Sequence, residues 1–146
     1  MPTLYEADIA LKEAIASRDI ALIAWRKVVA FGRHLRKIRD RLQRADPLDE
    51  QALADIAAAI ERNYQETTAL RLPLEAAEAA VLVAEVAADE VKRQLQLLSE
   101  KLRFLEETTA LTATPALSDY RVIQRIRLQM RALLGFDSPP QPPLAA

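Results

Sequence analysis

The chain has a single histidine, His34, and this residue is the first to consider for acid–base chemistry. Histidine is the usual general base near neutral pH, and it works with a carboxylate that orients its ring. The neighbours of His34, Gly-Arg-His-Leu-Arg-Lys at residues 32–37, are cationic and include no carboxylate. We therefore expect His34 to be a surface or partner-facing residue.

Carboxylates recur at helical spacing at Glu75, Glu78, Glu85 and Asp89. Di-metal helical bundles combine such carboxylates with Glu-x-x-His units, and the chain contains no Glu-x-x-His. Two isolated glycines cannot form a phosphate-binding loop, and the absence of cysteine excludes thiolate metal sites and disulfides. The sequence thus predicts a non-enzymatic protein with no catalytic residue, cofactor, metal site or small-molecule substrate.

The composition predicts an all-α fold. Only two glycines occur in 146 residues, where average usage would give about ten, so tight hairpins between strands are disfavoured. Alanine, leucine, arginine and glutamate dominate, and these residues lose little side-chain entropy in a helix.

The first helix is predicted to begin at Thr3, because Thr3 and Glu6 have the spacing of a capping box. It should run to about Arg44, with residues 17–19 as the one place where an interruption is expected. Gly32 would either allow a close helix approach or permit a bend. The apolar stripe of this helix comprises Leu11, Ile15, Leu22, Trp25, Val28, Phe31, Leu35, Ile38 and Leu42.

The clearest break follows at residues 45–47, where Asp46 suits an N-cap and Pro47 a first helical position. A second helix should extend to Leu70 or Arg71. Two alternatives remain at Pro73, because an internal proline usually ends a helix, yet residues 71–74 contain no turn-forming residue. The chain either turns there or continues as one long kinked helix.

The strongest pattern in the sequence is an apolar seam at alternating steps of three and four, typical of coiled-coil-like helix packing. Extended backwards across Pro73, the same frame is apolar at 14 of 16 positions, with Asn63 and Thr67 as exceptions. The predicted helix-packing seam is Leu74, Ala77, Val81, Ala84, Ala88, Val91, Leu95, Leu98, Leu102 and Leu105.

A short basic helix is predicted from Pro115 or Ser118 to Gly135, with Arg121, Arg125 and Arg131 as docking residues. Its apolar face would comprise Tyr120, Ile123, Ile126, Met130 and Leu133. The Pro-rich tail should be extended and polyproline-like. The predicted division is a long helical bundle or coiled-coil domain at residues 1–112, the basic amphipathic helix at 113–135 and the tail at 136–146.

The net charge of −1 conceals a strong segregation, with +7 over residues 26–44 and −9 over residues 46–91. The basic segment could bind a polyanion through its phosphates. Alternatively, a helical hairpin would place it beside Asp49, Glu50, Asp55 and Glu61, and we favour this internal pairing or its inter-subunit equivalent. The cations in question are Arg26, Lys27, Arg33, Arg36, Lys37, Arg39, Arg41 and Arg44.

Leu82, Val83 and Val86 flank the seam, so this helix is apolar on more than one face and requires more than one partner helix. The expected architecture is an elongated antiparallel helical hairpin or a three-helix coiled-coil-like bundle, followed by the basic helix and the tail.

These features favour a non-enzymatic structural protein that assembles by helix packing, in an oligomer or a large complex such as a virus particle. Its partner would be a second copy or another helical protein. The alternatives are a nucleic-acid-binding helical protein and a helical adaptor or chaperone. Neither a signal peptide nor a transmembrane segment is predicted, so we expect a protein of the cytoplasm or of a large soluble particle, without a membrane partner.

Overall fold

The computed structural model describes residues 1–112, 114 and 116–135, and these residues form three α-helices. Helix α1 spans Leu4–Gln43, α2 spans Glu50–Leu111 and α3 spans Leu117–Leu134. The predicted all-α class is confirmed. The chain forms two compact units, one from residues 13–81 and the other from residues 1–12 with the chain from residue 82 onwards. The predicted tail and Pro115 lie outside the described residues.

Helix α1 begins with the predicted capping box. The backbone N–H of Thr3 donates to Oε2 of Glu6 at 3.0 Å, and the N–H of Glu6 donates to Oγ1 of Thr3 at 3.1 Å. Two of the four backbone donors that a helix start leaves unpaired are thereby satisfied. The helix continues without interruption through residues 17–19, where Arg18 forms a local ion pair with Asp19 at 3.0 Å.

The predicted start of the second helix was wrong. Helix α2 begins at Glu50, and its cap is Asp49, whose Oδ1 accepts the N–H of Ala52 at 3.0 Å. Asp46 and Pro47 belong instead to the connection between α1 and α2. Connections of three residues (44–46) and of six (44–49) are both usual between antiparallel helices, so either aspartate could cap the helix and the packing of α1 on α2 decides between them.

Helix α2 continues through Pro73, which decides between the two alternatives for this site. An ion pair between Nε of Arg71 and Oε1 of Glu75 at 2.9 Å spans the proline at the i,i+4 spacing of an intact helix. Pro73 itself is exposed, while Leu74 beside it is buried. An interior proline lowers the stability of a helix by about 3 kcal/mol. Burial of the Leu74 side chain stabilises the fold by about 1.5–3 kcal/mol and so offsets most of this cost.

The end of α2 is rich in threonine hydroxyls that bond back to the helix. Oγ1 of Thr108, Thr109 and Thr112 donates to the carbonyl four residues earlier, at 2.7–2.9 Å. Such bonds compete with the helical ladder and favour an ending. Helix α3 then starts after Ala116, and it ends at the predicted Gly135, whose φ of 92° lies in the left-handed region that favours glycine.

In the unit formed by residues 13–81, α1 and α2 pack as an antiparallel hairpin. Val28 lies 15 residues before the end of α1 and Asn63 lies 13 residues after the start of α2, and these two residues are in contact. Both helices therefore extend to the same side of the connection at residues 44–49, and their chain directions are antiparallel. The buried apolar residues of this unit are Leu35, Ile56, Leu74 and Val81.

The closest contact in this hairpin is polar. Asn63 is 7% exposed, and its Nδ2 donates to the backbone carbonyl of Val28 at 2.8 Å. Its Oδ1 lies against Gly32, where a Cβ atom would collide with it. Gly32 therefore serves the close helix approach, the first of the two roles predicted for it.

The predicted position of Phe31 in the apolar stripe of α1 was wrong, since its side chain is 55% exposed. Gly32 is the buried residue at this level of the hairpin. A bulky ring facing α2 would hold the helices apart, whereas the Asn63 amide requires a neighbour without a side chain. The remainder of the predicted stripe, from Leu11 to Leu42, is buried or half-buried.

In the unit that contains residues 1–12, three helical segments pack together. Ala7, Ala88 and Val91 form its core, against which Leu4, Leu11 and Leu95 pack. Helix α3 contributes Ile123 and Ile126, which are 6% and 3% exposed. Arg127 of α3 pairs with Glu106 of α2 at 2.6 Å, and Gly135 at the end of α3 lies against Thr3.

The contact between Gly32 and Asn63 yields a stability prediction. Gly32→Ala should lower the free energy of unfolding by about 1–2 kcal/mol, because an overpacking cost of about 1–3 kcal/mol exceeds the gain in helix propensity of up to about 1 kcal/mol. Asn63→Ala alone should cost about 1 kcal/mol, through the lost hydrogen bond. Urea unfolding followed by circular dichroism, at one fixed protein concentration, measures both changes.

The double variant Gly32→Ala with Asn63→Ala is the control. It removes the amide that collides with the new methyl group, so it should be more stable than the sum of the single changes predicts. Additive effects would show that Gly32 and Asn63 do not constrain each other.

A second prediction concerns the attachment of α3. Ile126→Ala removes a buried side chain and should cost about 2–5 kcal/mol, whereas Leu128→Ala in the same helix removes a side chain that is 58% exposed and should change stability by less than about 1 kcal/mol. Thermal unfolding of both variants makes the comparison. Equal effects would contradict the packing of α3 through its Ile123 and Ile126 face.

Candidate interaction surfaces

Six of the predicted polyanion-binding cations share one side of α1. Five of the six lie within α1. With Val28, Gly32 and Leu35 facing α2 and about 100° of rotation per residue, these five fall within about 75° of the direction that points away from α2, and Arg44 is the first residue after the helix ends. All six are exposed. We call this surface the basic face: Arg26, Lys27, Arg33, Lys37, Arg41 and Arg44.

The predicted internal pairing of these cations with α2 is absent. Residues 26–61 are all described, and no salt bridge joins a cation of residues 26–44 to Asp49, Glu50, Asp55 or Glu61. The physical reason is the helix rotation: α1 presents its apolar positions and Gly32 to α2, which directs most of its cations to the opposite side. The hairpin therefore forms without salt bridges between the basic segment (residues 26–44) and the acidic segment (residues 46–91), although the two are adjacent in the sequence.

The two remaining cations of the predicted set are placed differently. Arg36 is exposed but lies to one side, lining a small cavity of about 80 Å³ with Gly32, Asn63 and Tyr64. Arg39 is half-buried, its Nη2 is 3.6 Å from Asp40, and its Nε has no hydrogen-bond partner. Arg39 therefore belongs to the packing side of α1 and not to the basic face.

All ten residues of the predicted seam are buried or half-buried, three in the hairpin unit and seven in the unit with α3. Val91, with no exposed area, is the most deeply buried of them. The interlocking geometry of a coiled coil along this seam stays a prediction.

The opposite side of α2 carries exposed apolar residues in the unit with α3. Leu82, Val83 and Val86, which the sequence singled out as flanking the seam, are 63%, 71% and 69% exposed. Leu97 and Phe104, at 52% and 68%, lie 14 and 21 residues after Val83 on the same side, while the position between them and Val83 is the charged Glu90. These two residues were not predicted from the sequence, because Glu90 interrupts the seven-residue spacing that connects them to Val83. We call these five residues the outer stripe.

The predicted docking arginines lie on α3. Arg121 and Arg125 are exposed and border an open groove of about 440 Å³ together with Leu117, Tyr120 and Leu128. Arg131 is also exposed and has an interaction within the fold. The structure does not bring these three residues together with the basic face in one unit.

The carboxylates at helical spacing do not converge on a site. Glu75 pairs with Arg71, and Glu78, Glu85 and Asp89 are exposed, as is His34. Across the described part of the chain, no group of three or more histidine or acidic side chains is arranged to hold a metal ion.

The clearest electrostatic perturbation among the described residues is local to one turn of α2. Arg93 donates to both carboxylate oxygens of Glu90, at 3.0 and 2.8 Å, and Gln94 donates to one of them. These hydrogen bonds lower the pKa of Glu90 and raise the pKa of Arg93. All three residues stand on neighbouring positions of one helix, so they indicate no catalytic site.

Within the described ranges, no helix is both long enough and apolar enough to cross a membrane. Comparison with protein-family models found no match, and searches of curated proteins and of solved structures found none either.

Proposed function

We propose that this protein is a non-enzymatic structural protein that associates with further copies of itself by helix packing. The observation that carries the proposal is the outer stripe, because five large apolar side chains on one side of one helix are exposed. The stripe consists of an apolar patch at Leu82, Val83 and Val86 and a second one at Leu97 and Phe104, with the ion pair of Glu90 and Arg93 between them. Exposed apolar patches rimmed by polar residues are typical of interaction sites.

The imbalance between buried and exposed apolar residues supports this proposal. Among the described residues, nine apolar side chains are buried while nineteen large ones are exposed. A helix that packs on one neighbour buries only one side, so a second apolar side remains for another helix. This agrees with the expectation that α2 requires more than one partner.

The magnitude is sufficient for association. Burying a side chain that is about two-thirds exposed contributes about 1–2 kcal/mol, so five residues on each of two copies contribute on the order of 10–20 kcal/mol. Association costs roughly 4–15 kcal/mol, because the two chains lose translational and rotational freedom. The gain exceeds the cost over most of these ranges, so association of two copies through the outer stripe is energetically feasible.

The test is a change of Leu82, Val83 and Val86 to glutamine, which keeps both the helix propensity and the net charge. The unchanged protein should have a mass of at least twice 16.3 kDa by light scattering at about 10 µM. The triple variant should dissociate with a Kd at least about a hundredfold higher, since each lost 1.4 kcal/mol is a factor of ten.

The matched control changes Ile20, Ile23 and Leu128 to glutamine, since these apolar side chains are also more than half exposed but lie on α1 and α3. This control should leave the mass unchanged, and circular dichroism should show equal helix content in all variants. A monodisperse monomer up to about 100 µM would refute self-association. If the protein were monomeric and co-purified with one helical protein from its source, the adaptor alternative would replace the proposal of self-association.

A further inference from the structure

We infer that the basic face of α1 binds the phosphodiester backbone of nucleic acid, without sequence preference. This function goes beyond self-association and uses a different surface, in the unit formed by residues 13–81. The ligand class follows from the charge, spacing and surroundings of six side chains.

The basic face is a broad row of charges that runs along one side of α1 to its C-terminal end. Arg26 and Arg44 are 18 residues apart, which is about 27 Å along a helix. One strand of duplex DNA carries a phosphate about every 3.4 Å along its axis, so the row extends beside about eight phosphates. Successive cations of the basic face are separated by one, six, four, four and three residues, so they are closely spaced from Arg33 to Arg44 and more widely spaced between Lys27 and Arg33.

These cations are available because the fold gives them no acidic partner. Their side chains are exposed, and among the residues that the structure describes no salt bridge or side-chain hydrogen bond engages any of the six. Asp40 is the one acid within residues 26–44, and its partner is Arg39. The face therefore stays strongly positive although the whole chain has a net charge of −1.

The surroundings favour nucleic acid over an anionic membrane. A helix that lies on a membrane exposes an apolar side beside its cations, and it inserts this side below the headgroups. The apolar side of α1 is instead occupied by α2, and Phe31 is the one large apolar side chain exposed within residues 26–44. A phosphate backbone requires only positive charge and hydrogen-bond donors, which arginine and lysine supply.

The experiment measures binding of the full chain to a mixed-sequence DNA duplex of about 20 base pairs, at several salt concentrations between 50 and 200 mM. Contact with six phosphates predicts a slope of about −5 for log K against log salt, and thus about a thousandfold loss of affinity over this range. The variant Arg33→Glu, Lys37→Glu, Arg41→Glu should bind at least tenfold more weakly at 50 mM salt, with a slope of about −3 or smaller in magnitude.

The matched control variant Lys12→Glu, Lys92→Glu, Lys101→Glu has the same change in net charge, at exposed cations of the other unit. It should bind like the unchanged protein and keep the same slope. An equal loss in both triple variants would show that net charge, and not the basic face, governs binding, and would overturn the inference.

Two further outcomes would also overturn it: no detectable duplex binding at 50 mM salt, or stronger binding to vesicles with one-third phosphatidylserine than to DNA. Light scattering of the same samples keeps this test separate from self-association. The basic-face variant should retain the mass of the unchanged protein, because the outer stripe is intact.

Discussion

The contact of the Asn63 amide with the backbone of Gly32 is the constraint on which the hairpin depends. A seam of alanine, valine and leucine with a seven-residue repeat packs almost equally well after a shift of one heptad. Asn63 removes this ambiguity, because a shift of seven residues would place Trp25 or Arg39 where the amide requires a glycine. Gly32 is the only glycine within α1 and α2, so one register accommodates the amide.

This register decides which side of α1 faces solvent. Once Gly32 faces α2, Arg26, Lys27 and Arg33 point outwards, and no salt bridge among the described residues joins them to an acid of α2. In the other unit, α2 buries its seam against neighbouring helical segments and thus leaves Val83 and Val86 exposed on its opposite side. Both proposed interactions therefore use surfaces that follow from how two helices pack, and neither requires a catalytic site.

Local features were predictable from the sequence to different degrees. The pairing of Thr3 with Glu6 and the end of α3 at Gly135 were correct, because each depends on backbone geometry within one helical turn. The predicted start of α2 was three residues too early. Asp46 and Asp49 are both suitable caps, and which of them begins the helix depends on how α1 and α2 pack. The role of Phe31 was wrong because apolarity alone does not distinguish it from Gly32, which a close helix approach requires.

The sequence by itself determined the all-α class, the capping of α1 by Thr3 and Glu6, the end of α3 at Gly135 and the ten-residue seam that is buried or half-buried. Each of these depends on residues within one or two turns of the same helix, where spacing alone specifies the geometry. Only the tertiary structure decided that α2 continues through Pro73, which register the hairpin adopts and that the basic face has no internal partner. These features depend on which residue of one helix meets which residue of another, and spacing along a single chain does not specify that pairing.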